Sequence, residues 1–387
     1  MRRIYLDNAA TSWPKPDAVY EAVDQYLRNN GAPAGRSGYA EAAEATRQVE
    51  IARRDLARLL GVREPERLIF TLNGTDALNL ALHGLLRDGD HVVTSTSEHN
   101  STLRPLRSLQ DARRITVTRV ECDSFGVTDP DAIHRALQKK TRLVAISHAS
   151  NVTGAIQPID VIRDLTHRQG AKLLVDAAQS IGHLPLELDA WNVDLVAASG
   201  HKGILAPLGT GMLYLRQGIP AELSPIRQGG TGTRSDDDHQ PDELPYKYES
   251  GSLNVPGLVG LGAAAAYWFT KTTAAARAHD LTLTAKLLDG LHAIPKVRTY
   301  GPAIAAQRVG LVSFTIGGYD PQEVAAALEG AHRIQVRPGL HCAPQMHRKL
   351  GTFDFGGTVR ISLGPFNTCE DVDLAVAAID ELAASGI

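Results

Sequence analysis

Ser199-Gly200-His201-Lys202-Gly203 is the stretch of this sequence from which its fold and its chemistry can be inferred. It follows an apolar run, Leu173-Leu174-Val175, that ends in Asp176. A lysine placed after a buried strand can form a Schiff base, and an aspartate at the end of the preceding strand can pair with a pyridinium nitrogen. Together they indicate pyridoxal phosphate (PLP) as a cofactor. Alone, a Ser-x-His-Lys run is more often a solvated loop, so the remaining sequence has to decide.

Composition narrows the class of protein. The chain has 387 residues, enough for two domains, because single cores stop growing near ~250–300 residues. A formal net charge of −3 provides no global field that would attract nucleic acid or an anionic membrane. The sequence lacks the apolar core of a signal peptide and any uncharged apolar run of the ~20 residues that a membrane span requires. We therefore expect neither nucleic acid nor a membrane as a partner.

Cysteine usage indicates the compartment. Cys122, Cys342 and Cys369 are odd in number and widely spaced, which matches neither a disulfide framework nor a zinc pattern. A reducing cytoplasm fits this usage best, and no metal site is predicted.

The periodicity predicts an α/β fold. Helical and strand patterns alternate through most of the chain, as in a doubly wound sheet with helices on both faces. Asp129 and Asp160 each stand at the start of a predicted helix and are expected to cap it. Residues 222–248 are rich in Gly, Pro and acids and are predicted to form a long exposed loop. After Pro256 the pattern changes to long helices followed by short strands, which is typical of a smaller α+β domain.

Polar residues follow five successive predicted strands. The carboxyl ends of parallel strands form the edge where ligands bind in this architecture, so we expect these groups to converge. Each also has a bland interpretation, such as a capped turn for the first or a polar loop for the second. The groups are Gly74-Thr75 at a helix start, His99, Asn151, Asp176 with Gln179, and His201-Lys202.

Two further residues lie in the predicted smaller domain. Cys342 stands beside His341 in a Gly/Pro-rich loop, which favours an accessible nucleophile, although a free cysteine is more often a small buried hydrophobe. Arg360 falls on a predicted strand, and its planar guanidinium matches the carboxylate of an amino acid.

With these residues in view, the chain resembles the fold-type I PLP enzymes of the class V aminotransferase superfamily, and most closely the cysteine desulfurases. The resemblance runs from Tyr5-Leu6-Asp7-Asn8-Ala9 to Val359-Arg360-Ile361-Ser362. It implies a large domain with a mainly parallel seven-stranded sheet and a smaller α+β domain. The implied division is an N-terminal segment 1–14 that packs with the small domain, a PLP-binding domain 15–256, and a C-terminal domain 257–387 that carries the cysteine loop.

The resemblance also implies roles for the site residues. Lys202 would carry PLP and remove the substrate's α-proton, while Asp176 would pair with the pyridine nitrogen and His99 would stack on the ring. The remaining implied contacts are Asn151 and Gln179 near the phenolic oxygen, and Gly74, Thr75, Ser199 and His201 on the phosphate.

The family resemblance extends to the substrate and the partners. It implies that Arg360, with Asn151, holds the carboxylate of L-cysteine and that Cys342 receives the sulfur as a persulfide, leaving alanine. The group that activates Cys342 is open between His99, His341 and the substrate amine. A homodimer is implied, in which Gly251 and Ser252 reach the partner's phosphate, as is a sulfur-acceptor protein of unknown identity.

Some features depart from that family. Leu340 stands where the branch with a short catalytic loop more often has a second histidine, and Asp236-Asp237-Asp238 corresponds to no family motif. The alternatives are a selenocysteine lyase acting on L-selenocysteine, another class V lyase or transaminase, and a PLP-fold binding protein without turnover. A transaminase would have no use for Cys342, and an intact set of Lys202, Asp176 and Arg360 argues against the binding protein.

Overall fold

A computed structural model describes residues 2–385. No helix in this range is both long and apolar enough to cross a membrane. The strands are β1 (Ile4–Tyr5), β2 (Leu68–Thr71), β3 (His91–Ser95), β4 (Thr116–Val120), β5 (Thr141–Ser147), β6 (Lys172–Asp176), β7 (Leu195–Ser199), β8 (Gly211–Leu215), β9 (Val297–Tyr300), β10 (Leu311–Ile316), β11 (Ile334–Gln335), β12 (Arg337–Gly339) and β13 (Thr358–Ser362). The helices are α1 (Asp17–Asn29), α2 (Ala40–Leu59), α3 (Gly74–Leu85), α4 (Asn100–Asp111), α5 (Pro130–Ala136), α6 (Ile159–Arg168), α7 (Leu188–Trp191), α8 (Ile219–Glu222), α9 (Val255–Lys271), α10 (Thr273–His292), α11 (Pro321–His332), α12 (Pro344–Leu350) and α13 (Cys369–Ser385).

The largest sheet has seven strands in the order β2-β8-β7-β6-β5-β3-β4. The pairs from β7 through β4 are parallel, and β8 runs antiparallel to both of its neighbours. The central strands are apolar and buried along their length, as expected for a parallel sheet covered by helices on both faces. The predicted α/β class with a mainly parallel seven-stranded sheet is thereby confirmed.

A second core lies around the antiparallel sheet β12-β13-β10-β9. It includes apolar residues of α10, α11 and α13, together with Ile4 and Leu6 from the start of the chain. Helix α9 packs instead on α1 and α2, in the core beside the large sheet. The chain therefore passes from one core to the other between α9 and α10, while the division at residues 14 and 256 stays a prediction.

The two aspartates expected to cap helices behave differently. The Asp129 side chain accepts a hydrogen bond from the Asp131 backbone N–H at the start of α5. Helix α6 begins after Pro158, which offers no side-chain cap. Asp160 lies within the first turn of α6 and pairs with Arg163 at 2.8 Å, so the prediction that it caps that helix was wrong. Pro158 starts the helix two residues earlier than the aspartate would.

Residues 223–254 contain no helix or strand and are mostly exposed, but their end is anchored in the core. Glu249 is buried and forms a two-pronged ion pair with Arg53 of α2, each N–O distance being 2.7 Å. The same carboxylate accepts the backbone N–H of Phe70 at 2.6 Å, and the Arg53 guanidinium lies 4.1 Å from the Phe70 ring centre. The ion pair therefore fixes the segment that follows Glu249 against the edge of the sheet.

We expect Glu249→Ala to lower the free energy of unfolding by about 3–5 kcal/mol, because it leaves the buried Arg53 charge without its partner. Chemical denaturation monitored by circular dichroism measures the loss. Asp24→Ala is the matched control, since Asp24 pairs with Arg28 on the exposed surface of α1 and should contribute below about 1 kcal/mol. Equal losses in the two variants would contradict the structural role given to the buried pair.

Candidate active site

The carboxyl edge of the large sheet carries a cleft that opens to solvent. Residues that follow β2, β3, β5, β6 and β7 line it, as the convergence of strand ends requires. The lining residues are Gly74, Thr75, Leu78, His99, Ser101, Ser147, Ala149, Asn151, Asp176, Ala178, Gln179, Ser199 and Lys202. His201, Gly251, Ser252, Cys342 and Arg360, which the sequence also indicates, are not among them.

One end of the cleft is formed by the start of α3. The Gly74 backbone N–H donates to Ser199 Oγ at 3.1 Å, and a Cβ on Gly74 would approach that oxygen to 2.7 Å. The Thr75 and Ser101 hydroxyls lie 2.7 Å apart. A helix N-terminus with adjacent hydroxyls is suited to an anion. The backbone is close here because residue 74 has no side chain.

His201 lies in the loop that follows β7. Its Nδ1 is buried and has no hydrogen-bond partner among the described residues. Its backbone carbonyl accepts from Ser12 and from the Lys15 ammonium, which ties the N-terminal segment to this loop. Burial, and then the charge of Lys202, lowers the pKa of His201 to about 4.

His99 precedes α4 and serves as its cap. Its Nδ1 accepts the Ser101 backbone N–H at 3.0 Å, so the ring is fixed at the cleft wall. Burial lowers its pKa to about 4, with a further contribution from the Lys202 charge. His99 is thus neutral at neutral pH, and a neutral imidazole can lie flat against a planar ligand or accept a proton.

The charges of Asp176 and Lys202 each affect the pKa of the other residue. Burial raises the pKa of Asp176, against the opposing effects of the Ala178 N–H, 2.9 Å from Oδ1, and of the Lys202 charge. Burial lowers the pKa of Lys202 to about 8, although Asp176 opposes the shift. The lowered pKa increases the unprotonated fraction of Lys202 near neutral pH. An amine in this state can act as a nucleophile and as a base.

The two amide side chains of the cleft hold neighbouring segments. Asn151 Nδ2 donates to the carbonyl of His341 at 2.5 Å, and Gln179 Nε2 donates to the carbonyl of Ala9 at 3.1 Å. Both residues line the cleft, but these donors are engaged with the chain itself. The sequence indicated the two positions without these partners, which are about 170 to 190 residues away along the chain.

Cys342 is exposed on a loop that belongs to the core around the antiparallel sheet. This loop is hydrogen-bonded to the part of the chain that surrounds the large sheet. The carbonyl of Cys342 accepts the Asn100 N–H at 2.8 Å, beside His99. His341 and Cys342 have φ angles of 48° and 59°, a left-handed conformation that is unusual for residues with side chains and costs energy. The loop thus holds the thiol in a strained, fixed position next to the His99 turn.

Arg337 contacts this thiol with its guanidinium group. Its Nη2 lies 3.6 Å from Cys342 Sγ, within the range of a hydrogen bond to sulfur. The sequence did not single out Arg337, which stands five residues before Cys342, on β12.

Arg360 is fully buried and paired. Its Nη2 lies 2.9 Å from Asp7 Oδ1, and its Nη1 donates to the carbonyl of Asn151 at 3.0 Å. Its Nε has no partner among the described residues, which leaves a buried N–H free for a ligand. Burial lowers the pKa of Arg360, and Asp7 opposes the shift. The sequence did not single out Asp7 as the partner of this arginine.

His341, one of the groups considered for activating Cys342, is buried away from solvent. Its Nε2 lies 3.0 Å from the Thr358 hydroxyl, and its ring packs 5.4 Å from that of His347. Burial and the Arg360 charge lower its pKa well below the ordinary value. A histidine in this setting is a structural support of the loop.

Comparison with known proteins places this site in a family. Residues 4–375 match the Aminotransferase class-V family. The chain is 37% identical to a probable cysteine desulfurase of Methanothermobacter thermautotrophicus, over 99% of this chain and 95% of the relative. The chain belongs to the class V aminotransferase family, among its cysteine desulfurases. The resemblance drawn from the motifs is thus confirmed.

Solved structures of cysteine desulfurases share the fold. The apo structure of the enzyme from Thermococcus onnurineus superposes with a TM-score of 0.92 at 33% identity, covering 99% of this chain and 95% of that chain. The cysteine desulfurase CsdA of Escherichia coli, in an S-sulfonic acid form, gives a TM-score of 0.89 at 28% identity over all of this chain and 96% of that chain. Membership of the cysteine desulfurase group thus rests on sequence and on structure.

Proposed function

We propose that this protein uses pyridoxal phosphate to convert L-cysteine to L-alanine and collects the sulfur as a persulfide on Cys342. The observation that carries the proposal is the position of an exposed thiol. Cys342 is fixed beside the His99 turn, next to a cleft that holds an amine, Lys202, whose pKa is lowered to about 8. An amine for substrate activation and a thiol for sulfur capture are the two groups the reaction requires.

The residues present fit the cofactor. The orphaned Nδ1 of His201 and the start of α3 suit its phosphate, and the buried Asp176 suits its ring nitrogen. His99 offers a neutral ring for stacking. Lys202 would attach the cofactor covalently. When bound, PLP supplies an electron sink that stabilises the carbanion formed by loss of the substrate's α-proton.

The chain's own groups would carry out the remaining steps. Arg360 would bind the substrate carboxylate through its free Nε, and the unprotonated Lys202 amine would take the α-proton. Cys342 Sγ, which accepts a hydrogen bond from Arg337 Nη2, would attack the sulfur of the substrate. The S–S bond forms as the Cβ–S bond breaks. The electron pair of that bond stays with carbon, which takes a proton to become the methyl group of alanine.

A homodimer and an external sulfur acceptor complete the proposal. Gly251 and Ser252 are exposed and do not line the cleft of their own chain, which supports a contact with the site of a second copy. The Arg53–Glu249 pair fixes this segment in place. A thiol or an acceptor protein must then remove the persulfide sulfur. A cytoplasmic location stays a prediction.

The test is product release by the purified protein loaded with PLP. With L-cysteine and a thiol reductant, alanine and sulfide should appear in equal amounts. Parallel rates with L-selenocysteine and L-cysteine sulfinate separate a desulfurase from a selenocysteine lyase. Turnover confined to selenocysteine, or transamination without release of sulfur, would overturn the proposal.

We expect Arg360→Ala to raise KM for L-cysteine roughly 30- to 150-fold, since loss of a charge-assisted contact costs about 2–3 kcal/mol. Arg360→Lys should also raise KM, because an ammonium keeps the charge but loses the planar fork. Steady-state kinetics give KM and kcat separately, and the effect on kcat should be the smaller one. An unchanged KM in both variants would remove Arg360 from carboxylate binding.

A further inference from the structure

A carboxyl group that the proposed reaction does not use lies beneath the cleft. Glu98 is completely buried, directly before His99 in the chain. Its Oε1 accepts from Ser95 Oγ and its Oε2 from Ser147 Oγ, both at 2.7 Å. A fully buried carboxyl needs such partners, and hydroxyls satisfy its oxygens without neutralising a charge.

Glu98 is linked to Asp176 through the sheet. Ser147, which donates to Glu98, is the last residue of β5 and pairs in register with Asp176, the last residue of β6. Ser147 and Asp176 both line the cleft. The hydroxyl that holds Glu98 therefore belongs to the residue beside the carboxylate that faces the bound ligand.

A negative charge on either Asp176 or Glu98 makes ionisation of the other carboxyl group less favourable. Burial, with a smaller contribution from the charge of Asp176, raises the pKa of Glu98 to about 7, although the hydrogen bonds from Ser95 and Ser147 oppose the shift. Asp176 has Lys202 as a nearby cation that opposes the rise in its pKa, whereas the nearby charge that acts on Glu98 is the like charge of Asp176. Two like charges this close are not both ionised cheaply. Of the two carboxyl groups, Asp176 is therefore the better placed to carry the negative charge.

We propose that Glu98 is a positioning residue that, acting through Ser147, sets the charge that Asp176 presents to the ring nitrogen of the cofactor. This inference rests on the proposed function for the identity of the ligand at Asp176. When Glu98 ionises, a second negative charge lies behind Asp176 and strengthens the hold on a protonated ring nitrogen. When Glu98 is protonated, Asp176 acts alone.

The test compares Glu98→Gln with the unchanged protein, both loaded with PLP, across pH 6–9. Glutamine keeps the shape and the serine contacts but stays neutral at every pH. The ring nitrogen of ¹⁵N-labelled PLP, followed by NMR, should lose its proton at a pH lower by about one unit in the variant, a roughly tenfold weaker proton affinity. The two proteins should agree at the acidic end of the range, where Glu98 is protonated in both.

Ser147→Ala and Ser95→Ala form a matched pair of controls, because each removes one hydroxyl from Glu98 and only Ser147 adjoins Asp176. Ser147→Ala should shift the ring-nitrogen titration more than Ser95→Ala does. A purely structural role for Glu98 would weaken cofactor binding equally at all pH values without moving the titration. That outcome, or equal shifts from the two serine variants, would overturn the proposal.

A second measurement does not depend on the cofactor. In the full chain without PLP, the raised pKa of Glu98 stabilises the fold below pH 4.5, its ordinary pKa, and this contribution is lost as pH rises through about 7. Glu98→Gln should remove this pH-dependent part of the free energy of unfolding. If the unchanged protein and Glu98→Gln have the same dependence of stability on pH, the role proposed for Glu98 is wrong. If they differ but PLP does not bind, the proposed function fails instead.

Discussion

Lys202→Ala is expected to abolish turnover, with a loss of at least about 10⁴-fold in kcat, because in the proposed reaction this one side chain would serve both as the attachment point of PLP and as the base. The variant should also lose the absorbance that PLP acquires when it is joined to a lysine. Absorbance spectra after loading with PLP, together with alanine release, measure the two effects.

Lys15 provides a control of similar electrostatic character. Burial lowers its pKa to about 8 as well, and its Nζ donates to Ser12 Oγ at 2.7 Å and to the carbonyl of His201. Lys15→Ala removes a buried amine from the neighbourhood without touching Lys202. It should keep the lysine-linked absorbance. Retention of that absorbance by Lys202→Ala would show that another residue holds the cofactor.

The second large effect is expected at Cys342. Cys342→Ala should bind PLP and L-cysteine normally but lose sulfide and alanine release by roughly 10³-fold or more, since the nucleophile is gone. Cys122 cannot replace it, because that thiol is buried, 3.7 Å from Met346 Sδ beneath α12. Alanine and sulfide assays with a thiol reductant, beside spectra of the bound cofactor, separate binding from turnover.

Cys369→Ala is the matched control for this experiment. Cys369 is exposed like Cys342 but stands outside the cysteine loop, as the first residue of α13. Its replacement should leave the rate within about twofold, as for an ordinary surface substitution. Sulfide release that continues in Cys342→Ala at the original rate would assign sulfur capture to another group.

The fold class could be predicted from the sequence, because the spacing of apolar residues along a segment indicates whether it forms a helix or a strand and which side of it is buried. Alternating apolar strands and amphipathic helices predicted the parallel sheet, and the polar groups at successive strand ends predicted the cleft. The antiparallel direction of β8 was not specified, because its apolar run looks the same in either direction. Asp160 misled for a related reason, since Asp at a helix start suits both the cap and the first turn.

Partners distant along the chain were beyond reach of the sequence patterns. Asp7 meets Arg360 across 353 positions, and Glu98 gains its meaning only from Ser147 on another strand. The thiol contact of Arg337 depends on the left-handed backbone at Cys342, which no residue type there announces. Such features arise from tertiary packing, while a motif records only which side chains are available.

The attachment of the cysteine loop to both cores has a consequence for delivery. Asn100 and Asn151 hold the carbonyls of Cys342 and His341, so the thiol cannot swing outward without breaking contacts to the large sheet. A persulfide formed on Cys342 would therefore stay at the position of the loop where it forms. Under the proposed function, a sulfur acceptor would have to come to this loop and present its own nucleophile there. In this proposal, the acceptor would take the sulfur at the place where the persulfide forms.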